Sequence, residues 1–291
     1  MNKIILTAAT VIAIFGIAAS QTIKKPQTKK SNKMEQTNKS IAQTFITKGF
    51  NEKDMTTIDK LVADNYIQHN PGSGDGKEAL KGMLQYISPK VEIVRSLAEG
   101  EYVLQHNKST GWGDANTYIT FDVFRIKDNK IVEHWDIMQA MVEKTASGRT
   151  QTDGVTEIKD VDKTEANKKV VQAFLDDCVY GHNWQNIANY ISTEKYDQHN
   201  PNVGDGLQVF NDAMKQMAEH GMTMTFEKTY RLIADGNFVF VHSKGEFAGK
   251  KVAFADLMRL ENGKIVEHWD AIQEIPATTK SGHDMFEQVS K

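Results

Sequence analysis

Apolar positions recur along this chain with two different periods, and the change from one to the other happens twice. In residues 38–49 Ile41 and Phe45 fall on one helical face, and Ile58, Leu61 and Val62 do the same within residues 55–63. A third helical stretch carries Leu80, Leu84 and Ile87, with Asp75 in front of it as an expected cap. From residue 91 the period drops to two. Strands are predicted over 91–98 and 102–106, joined at Glu99-Gly100-Glu101, and over 117–126 and 131–141, hinged at 127–130. The succession restarts at Thr164, with Val170, Val171, Phe174 and Cys178 at helical spacing, a second helix over 184–191, and a third carrying Phe210, Met214 and Met217 behind Asp205. Strands follow over 225–234, 238–242, 252–260 and 265–275. Helices first and an antiparallel meander afterwards predict an α+β unit, twice over.

The doubling is written into the residues themselves. Lys130-Ile131-Val132-Glu133-His134-Trp135-Asp136 returns unchanged from Lys264 to Asp270, with Gln139 and Gln273 three positions on. Gln68-His69-Asn70-Pro71 returns as Gln198-His199-Asn200-Pro201, followed by Gly74-Asp75-Gly76 and Gly204-Asp205-Gly206. The copies are 130 residues apart at His69 and His199, and 134 apart at Trp135 and Trp269. A tandem duplication of domain length organises the chain.

Composition changes this picture only at the start. The 291 residues are 40 % hydrophobic and 25 % charged, ordinary values for globular protein, and each repeat is long enough to close its own core. A net charge of −3 gives no reason to expect nucleic acid or anionic lipid as partner, and lone Cys178 has no partner for a disulfide within the chain. Residues 1–20 combine Lys3, an apolar run and Ala18-Ala19-Ser20, which predicts a cleaved export signal, a periplasmic or secreted product and no membrane span afterwards. Residues 21–36, rich in Lys, Gln and Thr, are expected to be a flexible basic linker. The domains are then expected at 37–155 and 164–291.

Side chains alternate across a strand, so His134 and Asp136 share one face with Val132, while Glu133 and Trp135 share the other. If the His134/Asp136 face looks into a concave sheet, two ionisable groups act on one bound molecule, and His268 and Asp270 repeat the set. The alternative puts Trp135 and Trp269 inside. Asp122 and Asp256 sit mid-strand, where aspartate is disfavoured, and are either ion-paired or pocket carboxylates. An Asp122 and Arg125 pair would allow water activation of the epoxide-hydrolase kind. His69 and His199 either bond backbone or overhang the pocket, with Asn70 and Asn200 capping the turn beside them. His106 and His242 end matching strands and are candidates for a further imidazole in the cavity. A His-x-Asp pair with a distant His reaches the ligand count for zinc, but no His-x-His, Cys pair or His-x-x-x-His is present, so no metal site is expected. Nucleophile-elbow and phosphate-loop patterns are absent as well.

Tyr66-Ile67-Gln68-His69-Asn70-Pro71 followed by Lys130 to Asp136 resembles the SnoaL-like polyketide cyclase family of the NTF2-like superfamily, and the second copy resembles it equally. The resemblance implies two cone-shaped α+β barrels, each with N-terminal helices on a curved antiparallel sheet, paired as an intramolecular pseudo-dimer and open to homo-oligomerisation. It implies cofactor-free aldol-type cyclisation or isomerisation of a small apolar, carbonyl-containing metabolite. Asp136 and Asp270 would be the acid/base, with His134, His268, His69 and His199 as polarising partners. Asn70, Asp122, His106, Trp135, Asn200, Asp256, His242 and Trp269 would contact the ligand. A secreted binding module without catalysis is the other class of protein these residues allow.

Overall fold

The computed structural model describes residues 29–289. The expected export signal, residues 1–20, and residues 21–28 of the expected linker lie outside the described residues. The rest of that linker is helical: α1 spans Lys29–Thr44 and runs on into a π-helical turn, Phe45–Phe50. What holds this polar stretch is contact rather than composition. Asn38 donates to the Gly100 carbonyl at 3.0 Å, and Glu35 accepts from the Gly100 amide at 3.2 Å. Both side chains are buried.

The first repeat continues with α2 (Met55–Leu61), β1 (Val62–Gln68), α3 (Lys77–Tyr86), β2 (Lys90–Glu99), β3 (Tyr102–Thr110), β4 (Tyr118–Lys127) and β5 (Lys130–Ala140). The second has α4 (Thr164–Phe174), β6 (Asp197–Gln198), α5 (Leu207–Glu219), β7 (Met224–Asp235), β8 (Phe238–Phe247), β9 (Lys250–Glu261) and β10 (Lys264–Glu274). Each makes a five-stranded sheet, ordered β1-β5-β4-β3-β2 and β6-β10-β9-β8-β7. The strands leading into the His-Asn-Pro blocks are an addition to the predicted meander. They pair in parallel with β5 and β10, with Gln68 opposite His134 and Gln198 opposite His268. Asp75 and Asp205 do not cap the following helices; each accepts from the backbone amide of that Gln at 2.8 Å, which folds the motif back on itself.

Each sheet closes one core against its own helices, around Phe45, Leu84 and Phe124 in the first repeat and Phe174, Val241 and Leu260 in the second. A third core lies between the two sheets, where Leu104, Phe121, Trp135 and Ile137 meet Phe240, Leu257, Trp269 and Ala271. The repeated glutamines stitch this junction: Gln139 accepts from the Ile272 amide and Gln273 from the Met138 amide, both at 2.8 Å. Lys39 pairs with Asp235 and Lys168 with Glu99, each at 2.5 Å, at the other end.

The segments that follow β5 and β10 cross over. Residues 142–160 leave the first sheet and lie on the second repeat's His-Asn-Pro block, where Ser147 donates to the Gln198 carbonyl at 2.6 Å. His199 donates from Nδ1 to the Thr150 carbonyl at 2.7 Å, and the Trp269 indole donates to the Asp153 carbonyl at 2.9 Å. Residues 276–289 return the contact. His69 donates to the Asp284 carbonyl at 2.5 Å, and the Val289 amide donates to Glu133 at 2.7 Å. Gly154 marks the tightest approach: its φ is +91°, and a Cβ there would collide with Glu267, Trp269 and His199. Both constraints oppose any side chain. Gly154→Ala is expected to lower stability by roughly 2–5 kcal/mol, from about 1–2 for the left-handed backbone and about 1–3 for overpacking. Urea midpoints against Gly282→Ala, a positive-φ glycine with open space around it, separate the steric part from the backbone part.

Candidate active site

β5 and β10 carry different residues on their two faces, and a bulge sets the phase. The β4–β5 and β9–β10 registers slip at Val132 and Val266, so Ile131 and Ile265 join the inner cores while Glu133 and Glu267 turn outward. Beyond the bulge His134 and Asp136 face into the first cone, and His268 and Asp270 into the second. Trp135 and Trp269 face the junction between sheets and do not line either cavity; they are interface residues, not ligand contacts.

Parity along β1 corrects a second expectation. Tyr66, Gln68 and Asn70 point into the first cone, which turns His69 outward, and Tyr196, Gln198 and Asn200 do the same to His199. His69 stacks on Trp135 at 4.8 Å with its Nε2 3.0 Å from Glu133, and His199 stacks on Trp269 at 4.7 Å with its Nε2 3.1 Å from Glu267. His106 and His242 also belong to the junction. His106 stacks on Phe121 at 4.6 Å, and Arg95 and Arg231 donate to the two Nδ1 atoms at 3.1 and 3.2 Å. Burial, with the adjacent guanidinium, holds both imidazoles well below the usual histidine range. None of these four histidines reaches a cavity. Nor do Asp122 and Arg125 meet: Arg125 points to the opposite face and bonds Glu133 at 3.1 Å and Glu101 at 3.2 Å.

Inside the cones the partners determine protonation. In the second, His268 Nδ1 lies 3.1 Å from Gln198 Oε1 and Nε2 lies 3.0 Å from Asp256 Oδ1. The first cone repeats both contacts at 3.0 Å, His134 to Gln68 and to Asp122. Gln68 Oε1 also accepts from the Asn70 amide at 2.8 Å, which fixes the orientation of its side chain. An imidazole between two acceptors donates from both nitrogens and is therefore a cation. Burial opposes that charge, but the hydrogen bond to Asp122 and the nearby Asp136 outweigh it, so His134 is raised above the usual range; Asp256 and Asp270 raise His268 in the same way.

Asp136 and Asp270 stand beside these imidazoles on the cone walls. Burial pushes each up to about 6, against the pull of the neighbouring imidazolium. Asn70 Nδ2 donates to both Asp136 oxygens at 2.9 and 2.8 Å, and Asn200 Nδ2 donates to Asp270 Oδ2 at 2.6 Å. The amide orientations follow from the backbone donors on the other side: Gly72 to Asn70 Oδ1 at 2.7 Å, and Asn202 to Asn200 Oδ1 at 2.8 Å. Asp270 Oδ1 is buried with no partner among the described residues. Asp122, His134 and Asp136 bring ligand atoms within 4.8 Å of one another, a geometry open to a metal ion. However, His134 Nε2 already donates to Asp122, so a metal there would have to displace that proton.

Tyr66 and Tyr196 were not singled out by spacing. Gln68 Nε2 donates to the Tyr66 hydroxyl at 3.0 Å, and the Gln198 side chain neighbours the Tyr196 phenol in the second cone. Burial raises both phenols, keeping their protons on. The signal was the alternation Tyr-x-Gln-x-Asn ahead of each proline, which places all three on one face.

The two cones differ in size. The second encloses about 610 Å³, walled by Leu175, Met214, Met217, Phe226, Phe254 and Met258, with Tyr196, Gln198, Asn200, Asp256, His268 and Asp270 also on its wall. The first retains the same polar set around about 30 Å³.

Among known families, the SnoaL-like domain matches residues 42–134 and the SnoaL-like polyketide cyclase matches residues 169–280. No curated protein matches the chain. Similar solved structures include a putative polyketide cyclase from Bacillus cereus, 24 % identical, covering 38 % of this chain and 78 % of its own, with a TM-score of 0.32. A putative ketosteroid isomerase from Kribbella flavida is 14 % identical over 42 % of this chain and 92 % of its own, at 0.34. An epoxide hydrolase from M. tuberculosis is 18 % identical over 36 % and 85 %, at 0.33.

A carboxyl raised from 3.8 to about 6 on folding has a defined cost. Between those values the unfolded carboxyl is ionised while the folded one keeps its proton, so stability falls as pH rises through the window. Asp270→Asn removes the buried charge and keeps the shape. Its stability relative to the natural protein is expected to grow by roughly 1–3 kcal/mol between pH 4 and pH 7.5, read from denaturant midpoints at both values.

Proposed function

The chain belongs to the SnoaL-like family in two tandem copies, and from that premise we propose that its second domain is a cofactor-free acid–base enzyme that removes a proton next to the carbonyl of an apolar molecule. The observation that carries this reading is Asp270: a buried carboxylate with one unpartnered oxygen, pushed up to about 6, on the wall of an apolar cavity of about 610 Å³. A cavity of that size suits a molecule of one to three rings. The Asp256, His268 and Asp270 cluster stands against a wall of Leu175, Met214, Met217, Phe226, Phe254 and Met258, so the ligand offers one reactive polar end and a largely apolar body.

The roles follow from the bonds. Asp270 Oδ1 takes the proton, and the C–H electron pair moves into the enolate. Tyr196 supplies the donor for the enolate oxygen: its buried hydroxyl keeps its proton and stands on the cavity wall, where it can donate to the ligand. Behind it the His268 cation, held between Gln198 and Asp256, adds fixed positive charge beside the developing anion. Asn200 holds the other Asp270 oxygen and sets the carboxylate's angle. The enolate then either regains the proton at a different carbon, which is isomerisation, or attacks a second carbonyl of the same molecule, which closes a ring.

Exchange of hydrogen for deuterium next to the carbonyl tests the first step without knowledge of the final product. A panel of apolar cyclic ketones in heavy water, followed by mass spectrometry, is expected to show catalysed exchange with an acid limb near pH 6. Asp270→Asn should lower the rate about 10²–10⁴-fold, and Tyr196→Phe about 10²–10³-fold. Ketones that bind without exchanging would identify a binding module, and exchange undiminished in Asp270→Asn would remove that carboxylate from the mechanism.

A further inference from the structure

The two repeats are each other's control. Both carry Tyr, Gln, Asn, Asp, His and Asp at equivalent positions with the same His–Gln, His–Asp and Asn–Asp bonds, yet one surrounds about 610 Å³ and the other about 30 Å³. The difference therefore lies in the walls. Asn38 and Asn167 make the same bond, to the Gly100 and Gly236 carbonyls, and so fix the helical register between repeats. Twelve residues on, Phe50 of the first repeat stands where the second has Val179, and both positions line their cavities.

The second obstruction sits on a loop that the second repeat lacks. β8 and β9 are joined by Ala248-Gly249 alone, whereas β3 and β4 are joined by residues 111–117. Trp112 on that loop lines the first cavity and packs against the first core. Its ring lies 6.3 Å from that of Phe50, and its indole donates to the Ser109 hydroxyl at 2.9 Å. The turn is built for this placement. Gly111 has a φ of +79°, and a Cβ there would run into the Ser88 carbonyl, so the loop lies flat on the α3–β2 connection. On the opposite wall, α3 has 10 residues where α5 has 13, and Met214, Met217 and Ala218 of the longer helix line the larger cavity.

We propose that Trp112 and Phe50 are the specificity-determining residues of a second, latent acid–base site in the first domain, and that they exclude from it the apolar ligand that the second domain admits. This rests on the reading of the second cavity as the ligand pocket, but not on its catalytic role. The natural chain then takes one apolar ligand of ring size, while the first cone, with Asp122, His134 and Asp136 at its floor, has room only for water-sized molecules. Clearing the two aromatic side chains opens a pocket lined like its sibling.

Binding stoichiometry tests this on the full chain, with the neutral fluorophore N-phenyl-1-naphthylamine as probe. One site per chain is expected for the natural protein, and two for Phe50→Val combined with Trp112→Ala. Ala218→Trp, which fills the second cavity, is expected to abolish the natural site and to leave one in the triple variant. Trp112→Ala alone, on a loop side chain, covers the case in which the double variant fails to fold; it should bind a second probe at least tenfold more weakly than the first. Two sites in the natural protein, or a single site in folded variants lacking Trp112, would overturn the proposal. Loss of deuterium exchange would not bear on it, so its failure is distinguishable from failure of the catalytic reading.

Discussion

Each tryptophan of the repeated seven-residue block is clamped between a histidine of its own domain and an arginine of the other. Arg231 lies 3.6 Å over the Trp135 ring, with His69 stacked on Trp135 at 4.8 Å; Arg95 lies 4.0 Å over Trp269, with His199 stacked on Trp269 at 4.7 Å. Burial pushes both arginines down to about 10, an environment that suits guanidinium on an aromatic face better than a free charge. Because the indole must face this clamp, strand alternation leaves its neighbours no choice. The imidazole before it and the carboxylate after it turn into the cone. The junction between domains thus aims the site.

This explains which expectations survived contact with the structure. The duplication, the α+β layout and the four-stranded antiparallel meander of each sheet were legible because they rest on exact repeats and on period. The shared face of His134 and Asp136 followed from parity within their strand, whereas Asp122 had stayed open between ion pair and pocket carboxylate and Asn70 had read as a turn cap. For His69, His199, His106 and His242 the residue type suggested a ligand while position said otherwise: Gln68 and Asn70, on either side of His69 in the chain, share the face that enters the cone, which leaves His69 on the other. The strand before the first proline was hidden by Asp64 and Asn65, poor strand formers that fall in the register break between the paired Val62 and Ile67, and its counterpart before the second proline is only two residues long. The helical start at Lys29 was hidden because its anchors, Gly100 and Asp235, lie far away in the chain.

Duplication also separates what a fold keeps from what it lets go. The His–Gln, His–Asp and Asn–Asp bonds recur in both cones, whereas Asp122 also accepts from Asn107 and Thr120, where the second repeat has Ser243 and Phe254, and the walls differ further by a loop, a helix end and one aromatic for valine exchange. A polar network in a dry site tolerates little change, since a single missing partner leaves a buried group unsatisfied. Apolar walls tolerate much more, as long as volume is filled. The shift in spacing between copies, from 130 to 134 residues, was the trace of this in the sequence.

The crossing of the two tails sets an order of events for a chain made from its N-terminus. His69 and Glu133 wait for Asp284 and Val289, which follow the whole second sheet in the chain, so the junction side of the first block is covered late. The junction side of the second block meets its covering segment, residues 142–160, already waiting upstream. Of two nearly identical domains, the one made later is therefore the one that can finish first.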